Sequence, residues 1–360
     1  MYRVLDFTRV LAGPWATQIL GDQGFDVIKV EALEGDETRR FLPIVDGESV
    51  YYACTNRNKR SIAIDLKNPE GRKLALRMAR NADVLVENFR PGVMERLGLG
   101  YVHIAQPTLV YVSISAFGQE LPAAGYDLVL QAAGGIAALT GDPPRKTGPS
   151  IADLASAGVA VQAVLFALLA RTQTGRGKQV DISMLDVQHS LLAYYASAWL
   201  NADQPPPPPS NAHPSIAPYN LYRCRDGWLA ICCANDSLWE RLREALQLEA
   251  VPAWADIVGR VGDRARLDGA IEAALSSRDA VVWEEVLGKA GIPVATARTV
   301  GESLAHPAAR QLHIDHWRFP MPPLAPQVAR APPRLGEHTD EILRECGEDA
   351  AHLRSVGAVR

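Results

Sequence analysis

The sequence has few cysteines, and their spacing is not that of a metal site or a disulfide framework. The five cysteines are odd in number and form no CxxC pair, so neither a zinc site nor a set of disulfides is indicated. They are Cys54, Cys224, Cys232, Cys233 and Cys346. Thiols that stay reduced are typical of cytoplasmic proteins.

Short motifs for nucleotide and metal chemistry are also absent. The glycines at 98–100 and 134–135 match neither GxGxxG nor a P-loop, which argues against a nicotinamide or nucleotide-triphosphate enzyme. The neighbouring histidines His306, His313 and His316 lack an HExxH pattern or a comparable ligand set. We therefore expect no metal ion and no bound cofactor.

No excess of basic residues indicates a nucleic-acid partner. The chain has 37 Lys and Arg against 41 Asp and Glu, a net charge of −4. Its basic residues are scattered, whereas a nucleic-acid backbone needs a continuous positive surface. The first residues lack the basic and apolar regions of a signal peptide, so we expect a cytoplasmic location.

One apolar stretch, residues 151–170, has the length of a membrane span. It contains Asp153, Ser156 and Gln162, and such polar side chains are costly in lipid. We therefore predict a helix buried in a protein core and no membrane partner.

What the N-terminal half does contain is a regular alternation of β-branched runs and helical patterns. Strand-like runs at 3–7 and 27–31 flank a helical pattern at 14–22. This βαβ order favours an α/β fold with a mostly parallel sheet and helices on both faces. Further predicted strands are 62–66, 84–87, 109–114 and 179–183, and further predicted helices are 69–81 and 151–173.

Two proline-rich stretches, 205–209 and 320–333, interrupt this pattern. Consecutive prolines cannot enter a regular helix or a central strand and instead form extended spacers. The chain length also suggests roughly two domains. The predicted organisation is a large domain at 1–203, a linker at 204–218, a small α+β domain at 219–318, and a segment at 319–360 that returns to the large domain.

Asp153 is the first candidate for chemistry, because it lies in the first turn of the apolar helix after Gly148-Pro149-Ser150. The free N–H groups and the dipole of a helix N-terminus favour an ionised carboxylate there. Carboxylates can act as covalent nucleophiles. Position alone favours the simpler role, since Asp is also a preferred helix cap.

Basic residues form a second candidate group. The segment 56–60 (NRNKR), Lys67, Arg90 and Arg96 lie near the ends of predicted strands or on the helices after them. Ligands of open α/β sheets bind at the carboxyl ends of strands, so these cations could meet phosphates. The residues alone favour the alternative, which is a solvated surface role.

The motifs in their order resemble the class III coenzyme A transferases, a family that includes formyl-CoA transferase, the carnitine CoA-transferases and α-methylacyl-CoA racemase. The resemblance covers nearly the whole chain. It is carried by VLDFTRVLAGP (4–14), DVIKVE (26–31), NRNKRSIAIDLK (56–67), VENFRPG (86–92), ADL (152–154), TGRGKQVDISMLD (174–186) and LGEHTDEIL (335–343).

This resemblance implies that Asp153 is the catalytic nucleophile. In the family's scheme the aspartate attacks the thioester of an acyl-CoA to give an aspartyl anhydride and CoA thiolate. The thiolate then forms an aspartyl-CoA thioester, which the incoming carboxylic acid attacks. The partners are therefore an acyl-CoA and a carboxylic acid, with coenzyme A as part of the substrate and no separate cofactor.

The resemblance also implies the residues that contact the substrate. Tyr126 and Asp127 occupy positions near the thioester. The residues at CoA-contacting positions are Leu11, Ala12, Asp65, Leu66, Lys67, Asn88, Phe89, Arg90 and Arg96. The chain departs from some members at Ala32, where they place an arginine, so the resemblance does not imply a phosphate contact at this position.

Two alternatives to CoA transfer remain open at this point. The racemase branch pairs its aspartate with a histidine, whereas this chain has Tyr126 at that position. A tyrosine with an ordinary pKa near 10 is a poor base at neutral pH, which favours transfer. The other alternative is an acyl-CoA-binding protein without turnover.

The remaining implications concern the acceptor and the assembly. The string NAHPSIAPY (211–219) is similar to the branch that uses succinyl-CoA and other dicarboxylates. Family members have a Rossmann-like large domain and a small domain, and their ring-shaped monomers interlock as a homodimer. We expect the same architecture here.

Overall fold

The computed structural model describes residues 1–360, and these form two compact units. Unit 1 consists of residues 1–138, 143–196 and 310–360. Unit 2 consists of residues 139–142 and 197–309. Both cavities described below are lined by residues of unit 1.

The chain alternates helices and strands along most of its length. The strands are β1 (Arg3–Asp6), β2 (Asp26–Glu31), β3 (Ile44–Val45), β4 (Glu48–Ser49), β5 (Lys59–Ala63), β6 (Val84–Glu87), β7 (Val110–Ser115), β8 (Gln179–Ser183), β9 (Tyr219–Arg223), β10 (Trp228–Cys232), β11 (Val294–Thr296), β12 (Gln311–Ile314) and β13 (Trp317–Pro320). The helices are α1 (Ala12–Asp22), α2 (Val50–Asn56), α3 (Pro69–Arg80), α4 (Val93–Arg96), α5 (Tyr101–Ile104), α6 (Asp127–Ala133), α7 (Ile136–Thr140), α8 (Ile151–Thr174), α9 (Met184–Leu191), α10 (Tyr194–Ala202), α11 (Asp236–Ala245), α12 (Ile257–Gly262), α13 (Arg264–Leu275), α14 (Ala280–Lys289), α15 (Val300–Leu304), α16 (Thr339–Glu345) and α17 (Ala350–Ser355). Short 3₁₀ helices lie at Glu37–Arg40 and Pro252–Trp254.

Unit 1 is built on a six-stranded parallel sheet of order β5-β2-β1-β6-β7-β8. Successive strand residues face opposite sides, so Leu5 belongs to one apolar core and Val4 to the other. The first core includes residues of α3, α16 and α17, and the second includes residues of α1 and α8. The sheet is therefore covered on both faces, which confirms the predicted α/β class.

The strand order reverses direction between β1 and β6. The chain builds β1, β2 and β5 on one side, then returns to add β6, β7 and β8 on the other. At such a switch point the loops after the two central strands diverge and leave a crevice at the carboxyl edge. The loops that follow β1 and β6 hold several of the predicted site residues.

The prediction placed the start of β5 too late in the sequence. The sequence pattern placed it at 62–66, whereas β5 begins at Lys59 and ends at Ala63. Charged residues at its start hid the strand, because their buried ion pairs cannot be seen in the sequence. The hairpins β3–β4 and β12–β13 were not predicted either.

Helix α8 is buried on one side only, which differs from the predicted core helix. It is long and apolar enough to cross a membrane by length and composition, with a mean hydropathy of 1.9 and 39% of that stretch buried. Its buried face includes Ala152, Ala157 and Ala160, which pack in the core that α1 also lines. The opposite face exposes Phe166 and Leu169.

The domain boundaries drawn from the prolines differ from those of the compact units. Residues 310–318 were assigned to the small domain but lie in unit 1. The reason is the hairpin β12–β13, whose Ile314, Trp317 and Phe319 pack against Ala53 of α2. Residues 197–203, assigned to the large domain, lie in unit 2.

The C-terminal segment completes unit 1, as the strand and helix contacts near β5 indicate. The backbone N–H of His338 donates to the carbonyl of Ser61, and that of Asp65 donates to the carbonyl of Ala358. Unit 2 has its own core and an antiparallel sheet of order β11-β10-β9.

Candidate active site

Two adjoining cavities lie at the carboxyl edge of the parallel sheet. The first, about 390 Å³ in volume, is lined by the ends of β1 and β2 and by residues 64–67 that follow β5. The second, about 490 Å³, is lined by the loops after β1 and β6 and contains Asp153. Arg9, Glu37 and Phe89 line both cavities.

Most of the predicted site residues line one of these two cavities. Asp65, Leu66 and Lys67 line the first. Phe89 lines both. The second is lined by Leu11, Ala12, Asn88, Arg90, Tyr126 and Asp153.

Arg96 and Asp127 are the exceptions. Arg96 ends the short helix α4 and its side chain is exposed, but it lines neither cavity. Asp127 lines neither cavity and is only 8% exposed. Its carboxylate accepts from the Ala152 N–H and from Gln131 Nε2.

Asp153 is placed in the first turn of α8, as the sequence predicted. The helix dipole was expected to favour its charged form, whereas burial acts in the opposite direction. Burial, and after it the negative charge of Asp127, raises the pKa of Asp153 from 3.8 to about 7. Loss of hydration is the main cause, and no ion pair or hydrogen bond to the Asp153 carboxylate offsets it.

Asp127 caps the helix that carries Asp153. Ser150, at the N-cap of α8, makes no side-chain capping bond. Instead, the Ala152 N–H donates to Asp127 Oδ1 over 2.9 Å. Gln131 Nε2 donates to Asp127 Oδ2 over 2.7 Å, and Gln131 Oε1 accepts from the Thr147 N–H over 2.8 Å. Helix α6 thus holds the start of α8 and the loop before it.

Two tyrosines approach the site from different elements. Tyr126 precedes α6 and is 68% exposed. Tyr51 of α2, which the sequence did not indicate, lies within electrostatic reach of Asp153. Burial, and then Asp153, raises the pKa of Tyr51 to about 12, so it is a protonated phenol at neutral pH. No sequence signal pointed to Tyr51, since it is far from Asp153 along the chain.

The loop after β1 is held in a strained conformation. Val10 has φ 68°, a left-handed conformation that is costly for a β-branched residue. Hydrogen bonds fix both the N–H and the carbonyl of Arg9, the residue before it. The Arg9 N–H donates to Asn88 Oδ1 over 2.8 Å, and Asn88 Nδ2 donates to the Arg9 carbonyl over 2.9 Å. The Asn88 amide therefore positions this loop.

Thr8 of the same loop is fixed by a buried ionic network. Its N–H donates to Asp6 Oδ1 over 2.9 Å, and its carbonyl accepts from Lys29 Nζ over 3.0 Å. Lys59 Nζ lies 2.9 Å from Asp6 Oδ2. Although burial opposes the charged form, Lys59 and Lys29 hold the pKa of Asp6 at about 2. Removing one partner of such a buried pair is strongly destabilising.

The NRNKR segment has neither of the two roles considered from the sequence. Arg57 is 4% exposed and pairs with Asp22, while Arg60 is 5% exposed and pairs with Asp26. Both side chains are buried, and neither lines one of the two cavities. Burial of a charged run is costly unless each charge is paired, and the partners come from distant elements of the fold.

A second carboxyl with a raised pKa supports the loop after β6. Glu87 is 4% exposed, and its Oε2 accepts from the Phe89 N–H over 2.8 Å. Burial raises the pKa of Glu87 to about 7, with smaller opposing effects from Ser113 and Phe89. Glu87 was not indicated by the sequence, because it looked like the last residue of an ordinary strand.

This geometry is consistent with acyl transfer on a carboxylate. Asp153 lines the second cavity, and the first cavity adjoins it. An extended ligand could therefore place its reacting end beside Asp153 and the rest of its length in the first cavity. Partial burial keeps the carboxyl poorly hydrated, which makes its ionised form more reactive. The described residues contain no group of three or more potential ligands arranged to hold a metal ion.

Comparison with known proteins identifies the family. Residues 2–346 match CoA-transferase family III. The chain therefore belongs to CoA-transferase family III, which confirms the resemblance seen in its motifs.

Curated relatives are similar over most of their length. The acetyl-CoA:oxalate CoA-transferase of Acetobacter aceti is 38% identical, with 89% of this chain and 86% of the relative covered. The succinate–glutarate CoA-transferase of Agrobacterium fabrum is 36% identical, with 95% and 94% covered. Both support assignment of the chain as a CoA-transferase enzyme.

Solved structures agree with the fold. A CaiB/BaiF family protein from Brucella suis superposes with a TM-score of 0.85 at 34% identity, covering 96% of this chain and 98% of the other. A hypothetical protein from Mycobacterium tuberculosis gives a TM-score of 0.86 at 31% identity, covering 95% and 98%.

Proposed function

We propose that this enzyme moves CoA from an acyl-CoA to a dicarboxylic acid, with Asp153 as the covalent nucleophile. The observation that carries the proposal is the position of Asp153. It lies at the start of α8 and lines the second cavity, which adjoins the first. Membership of CoA-transferase family III supplies the reaction class.

The proposed reaction has four steps. Ionised Asp153 attacks the thioester carbonyl, which gives an aspartyl acyl anhydride and expels CoA thiolate. The thiolate attacks the aspartyl carbonyl, so that the donor acid leaves and an aspartyl-CoA thioester forms. The acceptor carboxylate attacks this thioester and again releases thiolate. The thiolate then attacks the acyl carbonyl of the new anhydride, which yields the new acyl-CoA and regenerates Asp153.

A dicarboxylic acceptor is favoured by the relatives and by one cation. Oxalate, succinate and glutarate, which appear in the relatives' names, all carry two carboxylates. Of the two arginines that line the second cavity, Arg9 pairs with Glu37 whereas Arg90 forms no ion pair. We propose that Arg90 holds the distal carboxylate, as arginines commonly do.

A mass-spectrometric screen of acyl-CoA donors against mixed carboxylic acids tests the proposed function. We expect CoA transfer to dicarboxylates and a hydroxylamine-sensitive adduct at Asp153. Asp153→Asn should lower turnover by at least about a thousandfold and abolish the adduct, since an amide is not a nucleophile here. Arg90→Met should raise KM for dicarboxylates more than KM for monocarboxylates.

Three results would contradict the proposal. Full exchange activity in Asp153→Asn would exclude Asp153 as the nucleophile. CoA binding without turnover of any donor and acceptor pair would favour the binding-protein alternative. Deuterium exchange at C2 of a 2-methylacyl-CoA, without CoA transfer, would favour a racemase.

We also propose that the enzyme is a homodimer. The outward face of α8 supports this proposal, because Leu165, Phe166 and Leu169 are 46%, 68% and 61% exposed. Exposed apolar surface of this kind is typical of protein interfaces.

A further inference from the structure

An ion pair lies where the two cavities meet. Arg9 comes from the loop after β1, and Glu37 begins the 3₁₀ helix that follows β2. Arg9 Nη2 donates to Glu37 Oε2. Both residues line both cavities, so the pair stands at the passage from one to the other.

The backbone on each side of the pair is fixed. Asn88 holds the N–H and carbonyl of Arg9. On the other side, the carboxylate of Asp36 accepts from the Thr38 N–H over 3.0 Å and lies 3.1 Å from Lys29 Nζ. The side chains of Arg9 and Glu37 form no ion pair except with each other. Both side chains can be reached from solvent, since 50% of the Arg9 side chain and 28% of the Glu37 side chain are exposed.

We propose that Arg9 binds phosphate and that Glu37 occupies its guanidinium while no substrate is bound. This inference rests on the proposed CoA substrate. In the free enzyme Arg9 pairs with Glu37. When acyl-CoA binds, its diphosphate takes the Arg9 guanidinium from Glu37, and the pantetheine arm runs through the passage to Asp153.

The chemistry of the two partners favours this exchange. Exposed ion pairs are weak and are easily replaced. A diphosphate carries more charge than one carboxylate and can accept two parallel N–H bonds from a guanidinium. Arg40 and Lys67 line the first cavity without an ion pair, so the nucleotide end of CoA has further cations beside it. An arginine that binds phosphate favours CoA esters over thioesters that lack phosphate, and its pairing with Glu37 moderates that preference.

Calorimetric titration with free CoA and with pantetheine, which lacks the nucleotide and phosphates, tests the inference. Glu37→Gln should tighten CoA binding about three- to fivefold, because Arg9 no longer has a competing carboxylate. Arg9→Met should weaken CoA binding about tenfold. In the Arg9→Met background, Glu37→Gln should have no further effect. Pantetheine affinity should stay the same throughout.

Glu34→Gln is the matched control, because Glu34 lines the first cavity but forms no ion pair. It removes the same charge without touching Arg9, so its effect should be smaller than that of Glu37→Gln. Equal effects of the two variants, or unchanged CoA affinity in Glu37→Gln, would overturn the inference. Absence of CoA binding to the native enzyme would instead overturn the proposed function. Pantetheine binding and thermal melting report whether Arg9→Met is folded.

Discussion

Asp153 and Glu87 are two carboxyl groups that the fold buries near the cavities without a cation. Burial raises the pKa of each to about 7. Asp6 is fully buried, yet its pKa is about 2 because two lysines face it. The same side chain is thus a fixed charge in one place and a group that titrates near neutral pH in another.

The raised pKa of Asp153 predicts the pH dependence of the reaction. Below its pKa the carboxyl is protonated and cannot attack, so kcat/KM for the acyl-CoA should fall about tenfold per pH unit below about 7. Above that pH it should level off. The measurement is kcat/KM from pH 5 to 9 at saturating acceptor.

The variant Glu87→Gln shows which of the two carboxyl groups causes the inflection in that pH profile. If Asp153 is the titrating group, this variant should keep the inflection near 7. An inflection that moves in Glu87→Gln would assign the titration to Glu87, and an inflection near 4 would show that Asp153 is not perturbed in solution.

Helix α8 begins with a cap that another helix supplies. Asp127 of α6 accepts the Ala152 N–H, one residue before Asp153. The same carboxylate raises the pKa of Asp153. Asp127 therefore combines a structural role, fixing the first turn of α8, with an electrostatic one, and we interpret it as a positioning residue.

Two variants of Asp127 should separate these roles. Asp127→Asn keeps an oxygen for the Ala152 N–H but removes the charge, so the acidic inflection in kcat/KM should move to lower pH. Its amide nitrogen takes the place of the oxygen that accepts from Gln131 Nε2, so we expect some loss of stability, but less than in Asp127→Ala. Asp127→Ala also removes the acceptor and should lower the free energy of unfolding by about 1–3 kcal/mol. Chemical denaturation and pH–rate profiles give both readouts. Identical pH profiles for the native enzyme and Asp127→Asn would contradict the electrostatic role.

Helix α8 also connects the site to the surface of the molecule. One face packs in the core with α1, and the other exposes Phe166 and Leu169. A single helix thus carries the candidate nucleophile at its start and an apolar surface near its end. This arrangement would place the proposed dimer contact and the site on one rigid element.

The proposed dimer predicts the effect of charge on that surface. Phe166→Glu combined with Leu169→Glu should weaken self-association, because burying two carboxylates at an apolar contact is costly. Light scattering after size exclusion measures the mass. The control is Val102→Glu on α5, a residue that is 84% exposed and lies outside α8. A native enzyme that is monomeric, or a double variant that associates as the native enzyme does, would contradict the proposal.

Strands with plain apolar patterns could be predicted closely from the sequence. The predicted bounds 84–87 and 179–183 are those of β6 and β8. The start of β5 was missed because Lys59 and Arg60 look like surface residues. Their partners Asp6 and Asp26 lie on other strands, and such pairings follow from the sheet order rather than from local pattern.

The order of motifs along the chain was enough to establish the family, the α/β class and the place of Asp153 at the start of a helix. These features depend on local patterns and spacing, which a sequence carries directly. The pKa of Asp153, the capping role of Asp127 and the Arg9–Glu37 pair became visible only in the folded chain. Each depends on loss of hydration or on charges brought together from distant segments, and both effects arise from packing in three dimensions.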